Sequence, residues 1–120
     1  MPVIGIDHVQ LAMPAGKEDE ARLFYVKALG LEEIPKPAEL TKRGGAWFTS
    51  GEVMLHLGVD PDFRAATKAH PAFRCVDYDA LVKRLRHHGV TIVQDKHPFE
   101  GKPHCYIADP FGNRIELIAR

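Results

Sequence analysis

Ile4-Gly5-Ile6-Asp7-His8-Val9-Gln10-Leu11, an apolar stretch that carries a histidine, has a coarse echo in His70-Pro71-Ala72-Phe73-Arg74-Cys75-Val76. Each stretch is followed by a helix-like segment and then by apolar runs. The halves also close alike, on Val53-Met54-Leu55-His56-Leu57 and on Arg114-Ile115-Glu116-Leu117-Ile118. His8 and His70, like His56 and Glu116, are about sixty residues apart, the mark of a duplicated module. Duplication puts four ligand-type residues at equivalent places, which is how one metal site can form between two halves.

Working outward, residues 4–13 read as a strand that ends at Pro14. Glu18-Asp19-Glu20 opens a helix with the charge its N-terminus favours, Ala21, Phe24, Tyr25 and Ala28 keep the helical period, and Gly30 supplies the stop. Residues 31–34 form a short strand broken by Pro35 and Pro37, Lys42-Arg43-Gly44-Gly45 is a turn, and residues 46–49 and 53–57 make a hairpin around Ser50-Gly51. The second half repeats the order. A strand over 70–76 leads to Asp77 as N-cap, and Tyr78, Leu81, Val82 and Leu85 keep the helical period up to Gly89. Strands follow over 90–93, 104–108 and 114–118, with loops at 99–103 and at Asp109-Pro110-Phe111-Gly112-Asn113, a turn that sets the register of Glu116. The modules span approximately 1–59 and 68–120 of a single domain, joined through 60–69. Strand-helix-strand-strand-strand, twice over, predicts an α+β fold.

Neighbouring strand residues point to opposite faces, so parity sorts the ligand candidates. His8 shares a face with Gln10 against Val9 and Leu11. His56 opposes Leu55 and Leu57, and Glu116 opposes Ile115 and Leu117. If the apolar members pack beneath the helices, the polar ones share the opposite, concave face. His104 and Tyr106 fall together against Cys105 and Ile107. His87 and His88 end the second helix and read as surface residues, and His97 reads as loop.

Composition narrows the function classes. With 16 Lys and Arg against 16 Asp and Glu the chain is formally neutral, so no basic field points to nucleic acid or an anionic membrane, and little repulsion opposes a homodimer. No apolar run reaches the ~20 residues of a membrane span, and no signal-peptide pattern opens the chain. Cys75 and Cys105 sit in apolar strands and read as reduced core thiols of a cytoplasmic protein.

Three stretches carry a resemblance. They are Gly5-Ile6-Asp7-His8-Val9, then Phe24-Tyr25 with Leu29-Gly30-Leu31, and Asp109-Pro110-Phe111-Gly112-Asn113-Arg114-Ile115-Glu116-Leu117. Together and in this order they resemble the vicinal oxygen chelate superfamily, the glyoxalase/bleomycin-resistance/extradiol-dioxygenase group, over essentially the whole chain. The resemblance implies two βαβββ modules in a curled eight-stranded mixed sheet around a cavity. It implies a divalent metal (Zn, Ni, Co, Mn or Fe) on His8, His56, His70 and Glu116. It also implies modules that pair either within one chain or across a dimer. Glyoxalase I enzymes carry a carboxylate where this chain has His56, and that carboxylate takes part in proton transfer, which a metal-bound imidazole does not easily replace.

The expected function is metal-dependent chemistry on a small oxygen-bearing substrate. Tyr106 and His104 are the candidate proton donors, and Gln10 and Trp47 the candidate substrate contacts. Trp47, Phe48 and Phe111 are expected to contribute to a subunit contact. The alternative is a non-catalytic protein that sequesters a small molecule, as bleomycin-resistance proteins do.

Overall fold

The computed structural model describes residues 1–120 as two four-stranded sheets, each with strands on the pattern expected. The first has the order β1-β4-β3-β2, from β1 (Val9–Met13), β2 (Glu32–Ile34), β3 (Ala46–Ser50) and β4 (Val53–Val59). The second has the order β5-β8-β7-β6, from β5 (Ala72–Cys75), β6 (Val93–Gln94), β7 (His104–Ala108) and β8 (Arg114–Ala119). In each module the first strand pairs parallel with the last, and the other pairings are antiparallel. The eight strands do not close into one sheet within the chain: β1 and β5 are both edges.

Helix α1 (Glu18–Arg22) opens on three acidic residues and runs on as a π-helical segment, Leu23–Ala28. The wider turn keeps Phe24, Tyr25 and Ala28 in the core while Leu23 and Lys27 face out. A 3₁₀ segment, Ala38–Arg43, occupies what reads in the sequence as coil running into a turn. It ends at Gly44-Gly45, where Gly45 has φ +83° and a Cβ would lie 2.0 Å from the Leu57 carbonyl oxygen. Only glycine allows β3 to start so close to β4.

Helix α2 (Tyr78–His87) buries Tyr78, Val82 and Leu85. Asp77 precedes it, but in the left-handed region at φ 50° and with no side-chain capping bond, so it bends the chain rather than capping the helix. Arg84 donates through Nε and Nη2 to the Lys27 carbonyl at 3.2 and 2.8 Å, tying α2 to the C-terminal end of the first helix.

Parity sorts the apolar residues into the core as expected. Leu55, Leu57, Ile115 and Leu117 are at most 1% exposed and form the core with Phe48, Tyr25, Met13 and Leu85. Each such side chain is worth about 1.5–3 kcal/mol against remaining in water. Phe48 is a correction to the expected subunit contact: it is fully buried and stacks on Tyr25 at 5.3 Å, so it belongs to the chain's own core.

Three strands are shorter than their apolar stretches. The first begins at Val9 rather than at residue 4, β5 begins at Ala72 rather than at His70, and β6 is Val93–Gln94 rather than 90–93. Ahead of β1, Val3, Ile4 and Ile6 are 84%, 92% and 83% exposed, because β4 offers this segment no partner before Leu55 meets Val9.

The Asp109–Asn113 turn does more than set register. Its carboxylate takes N–H bonds from Phe111 and Asn113 on Oδ1, and from the Tyr25 hydroxyl on Oδ2 at 2.6 Å. Asn113 reaches in turn to the Ala12 carbonyl at 2.8 Å. Two buried polar side chains of the second module are thus satisfied by the first, joining the halves. Burial, and then the Asp109 charge, hold the Tyr25 phenol well above its ordinary value.

Candidate metal centre

The four expected ligands fall into two pairs, one on each sheet. In the first, β4 places His56 opposite Gln10 on one side and Trp47 on the other. The His56 ring lies in a stack: Trp47 is 3.9 Å away and 2° from parallel, and His8 is 4.1 Å away on the other side. His56 is only 7% exposed, and burial, then the neighbouring His8 and Lys36 charges, lower its pKa despite Asp7. It is therefore held as a neutral imidazole, the form that ligates metal. His8 Nδ1 lies 2.8 Å from Asp7 Oδ1, and because an ionised carboxylate can only accept, Nδ1 is the donor in that contact and Nε2 is the nitrogen left to face a metal.

The second pair rests on β8 and on the residues just before β5. His70 Nδ1 donates to the Lys68 carbonyl at 2.9 Å, again leaving Nε2 as the free nitrogen. That nitrogen lies 3.1 Å from Glu116 Oε1. With Nδ1–H committed to Lys68, the contact between Nε2 and the carboxylate oxygen is closed either by a proton on Nε2 or by a cation that takes its place. Glu116 Oε2 accepts from His104 Nδ1 at 2.8 Å, and His104 Nε2 donates to the His97 carbonyl at 2.8 Å. The His97 carbonyl is the largest influence raising the His104 pKa; burial opposes it, and Glu116 and Asp95 reinforce it.

These residues fit a divalent ion. Two imidazoles, His8 and His70, have Nδ1 hydrogen-bonded to an oxygen so that Nε2 is the nitrogen a metal would take, burial favours the neutral form of a third, and the carboxylate is braced on one oxygen. Within one chain, however, no three of the four converge on a common point. The four expected ligands lie as two pairs, one on each sheet, and the chain alone does not bring them together.

The remaining candidates are placed as follows. Tyr106 stands directly across from Glu116, edge-on to His70 at 5.5 Å, with the Arg114 guanidinium 4.1 Å from its ring centre. His104, expected beside it as a proton donor, is 5% exposed and has both nitrogens engaged. Trp47 serves as a wall of the His56 stack, and Gln10 is exposed and extends over Gly58, whose missing Cβ would lie 2.5 Å from Gln10 Nε2. Sequence reading missed the Trp47–His56 pairing, although the hairpin register around Ser50-Gly51 contained the signal. It also missed the Lys68 and His97 carbonyls, for which backbone groups leave no signal in composition.

Comparison with known proteins agrees with this fold. A family profile described as the Glyoxalase/Bleomycin resistance protein/Dioxygenase superfamily matches residues 5–117. A glyoxalase family protein from Bacillus anthracis is similar in structure with TM-score 0.93 and 47% identity, covering 98% of this chain and 96% of that one. A lactoylglutathione lyase from Agrobacterium tumefaciens matches at TM-score 0.70 and 25% identity, covering 99% and 96%. The fosfomycin resistance protein FosX from Listeria monocytogenes shares the fold at TM-score 0.74 and 18% identity, covering 98% and 94%. A search of curated proteins gives no match.

Proposed function

The chain belongs to the glyoxalase/bleomycin resistance protein/dioxygenase superfamily, and from that premise we propose that it is a metal-dependent enzyme acting on a small oxygen-bearing substrate, assembled as a homodimer. The observation that carries this reading is the His70–Glu116 contact, where an imidazole nitrogen faces a carboxylate oxygen at 3.1 Å. The half-site on the other sheet supplies two further nitrogens, and it needs a second chain to reach them.

The open edges of β1 and β5 support pairing across subunits. Adding β1 of one copy to β5 of the other continues the sheet, covers the exposed Val3, Ile4 and Ile6, and removes two edges prone to unspecific pairing. Each site then takes His8 and His56 from one subunit and the partner subunit's His70 and Glu116. Zn, Ni, Co, Mn and Fe all suit three imidazoles and one carboxylate, and an octahedral ion so held keeps room for two substrate oxygens. When bound, the ion supplies Lewis acidity at a substrate oxygen.

The chain's own groups do the rest. Tyr106 lies across from Glu116 as the candidate proton donor, and Trp47 and Gln10 flank His56 as candidate substrate contacts. A ligating imidazole at His56 is a poor base, so turnover of a hemithioacetal, as a lactoylglutathione lyase would require, is expected to be low. The two free, buried thiols, Cys75 and Cys105, suit a reducing cytoplasmic setting.

Metal analysis of untagged protein, followed by calorimetry with acetohydroxamate or catechol, tests the reading. Binding that requires the metal is expected. Equal binding by metal-free and metal-loaded protein would instead make it a sequestering protein.

A further inference from the structure

His104 is the one buried histidine whose two nitrogens both meet oxygens of other residues. It sits on β7, two residues from the position opposite Glu116, and on the same face. Such diagonal neighbours on a sheet are about 7–8 Å apart at Cα and within reach of a long side chain. Nδ1 takes Glu116 Oε2 at 2.8 Å, while Nε2 takes the His97 carbonyl at 2.8 Å, with Asp95 Oδ2 at 3.6 Å. The imidazole therefore spans from a loop backbone on one side to the carboxylate on the other, and at 5% exposure it has no room to turn away. Glu116 is left with Oε1 alone directed toward His70.

We propose that His104 is a positioning residue that pins Oε2 of Glu116, so that Glu116 serves the metal through Oε1 only and a coordination position stays open for substrate. The proposal rests on the metal-site reading above. A carboxylate without such a brace is free to rotate, offer both oxygens to the ion and fill the position the substrate needs. Outer partners of this kind typically change metal affinity 10–100-fold when removed.

The two ring nitrogens can be separated by substitution, because an Asn amide nitrogen can mimic Nδ1 and a Gln amide nitrogen can mimic Nε2. Cobalt(II) titration of the full-length dimer is the probe, read as affinity and as the visible absorption band, which reports coordination number. His104→Phe and His104→Gln should lose about 10–100-fold in cobalt affinity and shift the band. His104→Asn should stay within a few-fold of wild type with the band unmoved. His104→Phe with wild-type affinity and band overturns the proposal while the metal reading stands. An Asn variant as impaired as the Phe variant also overturns it, because the role would then be packing. Wild-type protein that takes up no cobalt overturns the metal reading and this proposal together.

Discussion

The two modules share a topology but hold their ligands by different physics. In the first, His56 is fixed by ring stacking between Trp47 and His8, and the carboxylate that holds His8, Asp7, is exposed. In the second, Glu116 is fixed by hydrogen bonds from His70 and His104, which are themselves tied to backbone carbonyls. Stacking fixes the plane of a ring and leaves its nitrogens free, whereas a hydrogen-bonded carboxylate is fixed atom by atom. On the proposed reading, duplication yields one pair that would supply nitrogen donors and another that would supply the charge.

The largest effect should come from removing that charge. Glu116→Ala is expected to abolish tight metal binding, as is His8→Ala, while His56→Ala should only weaken it, which isothermal titration with zinc would rank. Equal losses at Glu116 and His56 would break the contrast between the modules.

Next in size are positions that hold the modules in shape. Gly45→Ala forces a Cβ against the Leu57 carbonyl and should cost well over ~1 kcal/mol, seen as a lower urea midpoint in metal-free protein. Tyr25→Phe removes a buried bond to the Asp109 carboxylate and should cost about 1.5–3 kcal/mol. Because that bond joins the halves, a Tyr25→Phe transition that splits into two steps would show that it couples them.

Smaller still is the pH contrast. His56 has a lowered pKa, so what its neutral form contributes to stability is present above the unfolded value near 6.5 and lost as pH falls through the folded value. His104 has a raised pKa, so its contribution is complete below that unfolded value and lost as pH rises through the folded one. Ring-resonance titration of metal-free protein should place the two midpoints on opposite sides of 6.5. Two midpoints on the same side would remove the distinction. Outside both half-sites, burial and then Cys105 push the Cys75 thiol up to about 11, so iodoacetamide should label it at pH 8 only after unfolding.

Much of the fold was legible in the sequence because it follows local period: both helices, the hairpins and the burial of Leu55, Leu57, Ile115 and Leu117 come from 3.6- and 2-residue patterns. The placing of His56, which pairs with Gln10 and Trp47, and of Glu116, which pairs with Tyr106, on faces opposite the core leucines was legible through parity. What was not legible depends on partners distant in the chain or outside it. An apolar stretch at residues 4–8 reads as strand, yet β4 does not pair with it, so His8 lies ahead of the strand. Asp77 resembles a cap in sequence but takes a left-handed turn. His104 reads as a free proton donor until the His97 carbonyl is seen to occupy its second nitrogen.

The central claim is that each metal site is shared between two subunits, and a mixed dimer tests it most directly. His8→Ala/His56→Ala in one chain and His70→Ala/Glu116→Ala in another should each give a metal-free homodimer. Co-expressed with different affinity tags and purified through both, the two chains form a dimer in which one site has lost all four ligands and the other keeps them all. One metal ion per mixed dimer is the predicted result. A mixed dimer that binds no metal, while wild type does, would mean that each site is built within a single chain and would contradict the account.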